Sequence, residues 1–125
     1  MDAARCVVVG YDGSDAARSA VLWALRETPP DTRIVAVAAL GHGQAHDAAR
    51  VRDRWANDGE DLEGVAELQL EHGQAPAPAL MAVAGRVGAR MIVIGHPHAR
   101  RLEPLRASVA RDLLSAARCP VVIVP

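Results

Sequence analysis

The chain has 125 residues, of which 50% are hydrophobic and 23% are charged, and its formal net charge is -1. These values describe a single globular domain, residues 1–125, and exclude both a disordered chain and a second hydrophobic core. The charge gives no general attraction to nucleic acid, no apolar run is long enough to span a membrane, and the absence of lysine excludes a Walker-type phosphate loop and a Schiff-base enzyme.

Apolar, β-branched runs alternate along the chain with segments of helical period, which is typical of successive βα units in a parallel sheet. The first half predicts a strand, a helix capped by Ser14, a second strand, and a helix ended by Asn57 and Gly59. The predicted bounds of these four elements are 5–11, Asp15–Glu27, Arg33–Leu40 and 47–55.

The second half opens with a predicted strand over residues 65–71. Apolar and polar residues alternate there, so one face of this strand is expected to be exposed to solvent, as at a sheet edge. Pro78 suits the first turn of a helix that Gly88 ends, and a fourth strand follows over 91–94. The last helix is expected over about 106–117. The residues predicted to face the core from the four helices are Ala17, Val21, Leu25, Ala48, Val51, Trp55, Leu80, Val83, Ala84, Val87, Val109, Leu113 and Ala117.

The last strand is apolar on both faces, although it should lie at an edge of the sheet. Pro120 opens it, which is a position where a strand tolerates proline. An apolar edge needs a cover, and we expect a second copy of the chain to provide it; a helix of the same chain is the alternative. The residues of the predicted homodimer interface are Val121, Val122, Ile123 and Val124.

Two loops each follow an apolar run and precede a helical pattern. The first, over residues 7–14, reads Val-Val-Val-Gly-Tyr-Asp-Gly-Ser, and the second, over residues 92–98, reads Ile-Val-Ile-Gly-His-Pro-His. In an open parallel sheet, loops at the carboxyl ends of neighbouring strands frame the crevice where small ligands bind. The sequence therefore predicts a small-molecule site between the first and fourth strands.

Three segments resemble the universal stress protein family. They are Val-Gly-Tyr-Asp-Gly-Ser at the start, Gly-Ala-Arg-Met-Ile-Val-Ile-Gly before the second loop, and the ending Ala-Ser-Val-Ala-Arg-Asp-Leu-Leu-Ser-Ala-Ala-Arg-Cys-Pro-Val-Val-Ile-Val-Pro. The resemblance implies a flavodoxin-like or Rossmann-like α/β fold: an open five-stranded parallel sheet in the order 3-2-1-4-5, with helices on both faces. It also implies a homodimer joined through the fifth strands.

Members of that family that bind ATP carry Gly-x-x-Gly, nine residues, and then Gly-Ser or Gly-Thr. Such glycines let backbone amides approach the phosphates closely. Here Gly95 matches the first glycine, His98 replaces the second, and Ala107 replaces the third, before a matching Ser108. Only eight residues, 99–106, separate the second and third positions. The altered motif predicts that nucleotide binding is weak or lost, unless arginines in this segment supply charge instead: Arg100, Arg101 and Arg106.

The other end of the implied site lies at the first strand. The resemblance places Asp12 against the adenosine, with Tyr11 beside it and Ala39 of the second strand lining the base pocket. The alternative is that Asp12 is a turn former that accepts amides within Asp-Gly-Ser, and both roles can hold together. The candidate nucleotide-binding residues are Gly10, Tyr11, Asp12, Ala39, Gly95, His98, Ala107, Ser108 and Val109.

No catalytic residue is predicted, because no nucleophile, base and orienting partner can be assembled from the sequence. Histidines cluster in two loops, but the His-Pro-His segment has no established ligand spacing and no carboxylate or cysteine beside it, so no metal is predicted. These histidines are His42, His46, His96 and His98.

The sequence therefore favours a non-enzymatic, dimeric regulatory module, and no cofactor is predicted for it. The alternative is a stress sensor that binds ATP or AMP in the cleft between strands 1 and 4, and slow ATP hydrolysis stays open. Cys6 and Cys119 flank separate apolar runs, which predicts buried thiols in a reducing cytoplasm.

Overall fold

Strands and helices alternate along the chain. The structure is a computed structural model and describes residues 5–41, 45–62, 66–96 and 108–125. In chain order the elements are β1 (Cys6–Gly10), α1 (Asp15–Glu27), β2 (Arg33–Leu40), α2 (Ala45–Leu62), β3 (Ala66–His72), α3 (Pro76–Val87), β4 (Met91–Gly95), α4 (Ser108–Ala116) and β5 (Val121–Val124). The strands form one parallel sheet in the order β3-β2-β1-β4-β5, which confirms the predicted α/β fold.

The sheet separates two apolar layers, as the predicted fold with helices on both faces requires. On one face, Val7 and Val9 of β1 pack in a cluster with α1 and α2. On the other face, Cys6 and Val8 pack with residues of α3 and α4, including Leu113, which is fully buried. Because successive strand residues point to opposite faces, β1 and β2 are buried on both sides and consist largely of apolar residues.

The local signals for α1 and α3 act as expected. The Ser14 hydroxyl accepts a hydrogen bond from the Ala17 amide at 3.1 Å and caps α1. Gly88 ends α3 in the left-handed conformation, with φ at 67°. Helix α3 begins earlier than the Pro78 signal suggested, because Pro76 takes the first helical position and Pro78 lies within the first turn.

The predicted end of the second helix is wrong. Asn57 and Gly59 do not stop α2, which runs to Leu62. A glycine within a helix costs only about 1 kcal/mol relative to alanine, and the neighbouring Asp58 makes contacts with β1 and α1 that hold this part of the helix in place. The predicted strand residue Val65 and the start of the last helix at Arg106 lie outside the described residues.

Of the thirteen predicted inward-facing residues, eight are buried, and the other five are only partly buried: Leu25, Trp55, Val87, Val109 and Ala117. Leu25 is only partly buried, because Ala24 takes the innermost position at that level of α1. Cys6 is buried as predicted, but Cys119 is partly exposed because it lies just before β5, at the rim of the sheet. Burial raises the pKa of both thiols, so both favour the neutral form.

Candidate functional site

The predicted cleft lies where β1 and β4 end side by side. Gly10 closes β1, and a Cβ placed there would lie 3.3 Å from side-chain atoms of Ile94 and Leu80. Gly95 closes β4, and a Cβ placed there would overlap the backbone carbonyl of Ala16 in the first turn of α1. Helix α1 therefore packs directly on the end of β4, and only a glycine at position 95 permits this approach.

Asp12 shapes the turn between β1 and α1. Its carboxylate accepts a hydrogen bond from the Ser14 amide at 2.9 Å, and Gly13 between them has φ at 84°, a conformation that favours glycine. The turn-forming role that the sequence offered for Asp12 is thus present in the structure. The residue is exposed, two positions beyond the end of β1. One carboxylate can serve the turn and still face a ligand.

Tyr11 points away from the cleft, toward α2. The residue is 3% exposed, and its hydroxyl donates a hydrogen bond to Asp58 at 2.9 Å. Its ring meets the ring of Trp55 edge to face, with centroids 5.0 Å apart. Burial, followed by the hydrogen bond and the charge of Asp58, raises the pKa of Tyr11, so this hydroxyl stays a neutral donor.

Asp58 joins three elements. Besides Tyr11 at the end of β1, it contacts Arg18 of α1 at 3.4 Å, and its side chain is only 12% exposed. A second ion pair, between Arg54 and Asp15 at 3.4 Å, also links α2 to α1, but there the Asp15 side chain is 97% exposed. Water screens the outer pair much more than the inner pair.

Ala39 and Gly10 share one face of the sheet. Gly10 pairs with Val37 in the parallel register, and Ala39 lies two residues further along β2, on the same side. Ala39 is partly exposed, as the wall of an open pocket would be. Tyr11 lies on the opposite face. The structure therefore places Gly10 and Ala39 on one face, with Asp12 two residues beyond Gly10, while the Tyr11 side chain belongs to the cluster on the other face.

The phosphate end of the predicted site is only partly described. His98, Ala107 and the three arginines between them lie outside the described residues. Ser108 begins α4, and Val109 is partly buried against the cluster on the α3 side of the sheet. His96 follows β4, and its amide donates a hydrogen bond to the carbonyl of Val124 at 2.7 Å.

The histidine cluster considered in the sequence falls mostly outside the structure. His42 lies outside the described residues, as His98 does, and the side chain of His46 is not described either. Among the residues that are described, no three histidine, cysteine, aspartate or glutamate side chains are grouped so as to hold a metal ion. None of the helices in the described ranges combines the length and apolar character needed to cross a membrane.

The comparison with known families decides the relationship. The model of the universal stress protein family matches residues 4–125, which is nearly the whole chain. The chain belongs to the universal stress protein family. No curated protein matches the chain significantly.

Solved structures of other universal stress proteins share the fold over their full length. One from Burkholderia pseudomallei is 26% identical, with 100% of this chain and 98% of that chain covered and a TM-score of 0.75. One from Archaeoglobus fulgidus is 26% identical, with 96% and 93% covered and a TM-score of 0.76. A third, in complex with cAMP, is 25% identical, with 97% and 96% covered and a TM-score of 0.67.

The two edges of this universal stress protein domain differ in character. At the β3 edge, polar residues alternate along the strand: Glu67 binds Arg33 through two hydrogen bonds of 2.9 Å, and Glu71 binds Arg86 at 2.9 Å. At the β5 edge, Ile123 is 37% exposed, and Leu114 on the adjacent α4 is 64% exposed. Charged side chains discourage strand pairing at an edge, whereas apolar ones favour it.

Sequence reasoning missed the contacts of Asp58. The predicted second helix ended at Trp55, so Asp58 fell in a predicted loop and was not among the predicted core or site residues. A signal was nevertheless present, because Asp58 lies three residues after Trp55 and seven after Val51, both of which were predicted to face the core. Had the helix been extended, Asp58 would have stood out as a carboxylate on the inner face.

Proposed function

We propose that this universal stress protein is a non-enzymatic regulatory module that works as a homodimer, with an affinity for ATP that is weak or lost. One observation carries the second part of this proposal. Retained residues at the end of β4 and at the start of α1 have structural roles that need no ligand. Gly95 admits the first turn of α1, while Asp12 and Ser14 form the turn and the cap that begin this helix.

The charges around the cleft also support weak binding of a triphosphate. Asp12 and Asp15 are both exposed where α1 begins, close to the end of β4. Arg54 offsets the charge of Asp15, so the Asp12 carboxylate is the main source of repulsion toward phosphate oxygens, because like charges at short range disfavour each other even in water. The substitutions His98 and Ala107 and the shortened segment 99–106 act in the same direction.

The β5 edge supports the homodimer. Ile123 and Leu114 expose apolar surface beside a strand that pairs only with β4 among the described residues. A two-fold axis at this edge would bring Val121, Val122, Ile123 and Val124 against the same strand of a second copy. The charged side chains on β3 make the opposite edge of the sheet a poor site for the same contact.

The main alternative is a site for a nucleoside monophosphate, and one observation favours it. The 25% identical universal stress protein described above was crystallised with cAMP. In the present chain, Gly10 and Ala39 share the face beside the exposed Asp12, which preserves the end of the site that the family resemblance assigns to the adenosine. A single phosphate depends less than a triphosphate on the altered loop, so AMP or cAMP fits better than ATP.

Thermal unfolding with ligands separates the two functions. A ligand that binds only the folded protein, present at 100 times its Kd, stabilises it by about 2.7 kcal/mol. Our proposal predicts that about 5 mM ATP with magnesium shifts the Tm by less than about 2 °C. A shift of several degrees with ATP would contradict it, whereas a shift with AMP or cAMP alone would establish the alternative.

The Asp12→Ala variant tests whether any shift arises in the cleft. The exposed Asp53 on α2 offers a matched control, Asp53→Ala, which removes the same charge outside the cleft. Because Asp12 also forms the turn, the quantity to compare is the ligand-induced shift within each variant and not the Tm itself. A cleft site predicts that the shift disappears in Asp12→Ala and persists in Asp53→Ala.

A further inference from the structure

Among the side chains of helix α2 that the structure describes, residues 48–58, few are buried against the sheet. Among its described side chains, Ala48 and Val51 are buried and Trp55 is partly buried. By contrast, α1 buries four residues and α3 buries five. Since apolar burial is the main force that holds a helix to a sheet, contacts of another kind carry a larger share of the attachment of α2.

Of the two ion pairs described for α2, the one made by Asp58 is the less exposed. Its carboxylate receives the Tyr11 hydroxyl at 2.9 Å on one oxygen and faces Arg18 at 3.4 Å on the other. The side chain is shielded from water, so these charge-assisted contacts are screened less than the outer Arg54–Asp15 pair. Losing the carboxylate would leave the buried Tyr11 hydroxyl without its acceptor, which is costly in an apolar cluster.

We propose that Asp58 is a latch that holds α2 closed over the end of β1, and that α2 opens as one unit when this contact is lost. The latch engages Tyr11, which directly precedes Asp12, so the order of the turn at the cleft and the closure of α2 depend on each other. A ligand that binds the ordered turn shifts the opening equilibrium of α2 toward the closed state. A partner that binds open α2 shifts the turn toward disorder, and the coupling free energy is the same in both directions. This inference holds whether or not the cleft binds a nucleotide.

The Tyr11 hydroxyl and the Tyr11 ring make separable contributions. The ring contacts Trp55 edge to face, and the hydroxyl alone reaches Asp58. Tyr11→Phe therefore removes the hydroxyl that donates to Asp58 and keeps the ring contact with Trp55. In this variant Asp58 still has its ion pair with Arg18. Asp58→Asn keeps the size of the side chain but removes the charge from both contacts. The second change should open α2 more than the first.

Hydrogen exchange on the whole chain, resolved by residue, tests the latch. In the unaltered protein, the amides of α2 should exchange together and faster than those of α1 and α3. In Asp58→Asn, protection over α2 and residues 11–14 should fall about tenfold or more, as expected for the loss of a charged hydrogen bond, while protection in α3 stays unchanged. Tyr11→Phe should show the same pattern at reduced size.

Asp53→Asn is the matched control, because Asp53 is an exposed aspartate on the same helix. Equal protection of α2 in Asp58→Asn and Asp53→Asn would overturn the proposal, as would an equal loss across α2 and α3, which indicates global destabilisation. If Asp58→Asn does not fold, Tyr11→Phe and the unaltered protein decide the matter. Exchange of α2 at the same rate as α1 and α3 in the unaltered protein shows that α2 does not open as a unit.

Discussion

Gly95→Ala isolates the reason why this chain keeps a glycine at the end of β4. The added Cβ would overlap the carbonyl of Ala16, which is backbone and cannot move aside by a change of rotamer. The first turn of α1 must therefore shift. Overpacking of this kind typically costs about 1–3 kcal/mol, and the backbone position of the clash places this variant toward the upper part of that range.

Gly85→Ala is the matched control. Gly85 lies in α3, and a Cβ placed there meets no atom within 4 Å. Alanine is the better helix former by roughly 0.5–1 kcal/mol, so this variant should be slightly more stable than the unaltered protein. The same chemical change is thus expected to have opposite signs at the two positions.

Thermal and urea unfolding without nucleotide measure both variants. For a domain of this size, each kcal/mol shifts the Tm by roughly 3–5 °C, so Gly95→Ala should unfold well below the unaltered protein and Gly85→Ala slightly above it. Both should still fold, since domains usually have about 5–15 kcal/mol of stability. A Gly95→Ala variant as stable as the unaltered protein would refute the packing role and return Gly95 to ligand binding.

Two further predictions concern the edges of the sheet. Ile123→Glu places like charges at the proposed dimer edge, so sedimentation velocity should show dimerisation weakened about tenfold or more. The control is Gln74→Glu, which changes an exposed residue just beyond β3 and should leave dimerisation unchanged. An unchanged dimer in Ile123→Glu would place the interface elsewhere. At the other edge, the Arg33 guanidinium holds the pKa of Glu67 below its usual range. The ionised pair therefore stabilises the fold at neutral pH, and this contribution is lost as the pH falls through the lowered pKa. The urea midpoint of Glu67→Gln should therefore lie below that of the unaltered protein at neutral pH and converge with it in acid; a constant gap would contradict this assignment.

Periodicity and local caps predicted the elements that depend on local chemistry. Ser14 caps α1 and Gly88 ends α3, because each acts through its own neighbours in the chain. The parallel order of the strands also agrees with the expectation from the family resemblance. Where local signals competed with distant contacts, the sequence misled: Asn57 and Gly59 resemble a helix end, but contacts of Asp58 with Tyr11 and Arg18 hold the helix there.

The strands that precede the two predicted loops were placed correctly. Strands β1 and β4 are parallel neighbours, so their carboxyl ends lie at one edge of the sheet. The direction of Tyr11 could have been inferred from strand alternation, which places it on the face opposite Ala39. The role of Gly95 could not, because nothing in the sequence reveals that Ala16 lies against it. A retained motif glycine is therefore weak evidence for a retained ligand.

Native mass spectrometry of the purified protein tests the central claim most directly, because it reports assembly and bound nucleotide together. We expect a species of twice the 13.2 kDa chain mass that carries no nucleotide and gains none when ATP and magnesium are added. A monomer, or a dimer that retains nucleotide through purification, would contradict it.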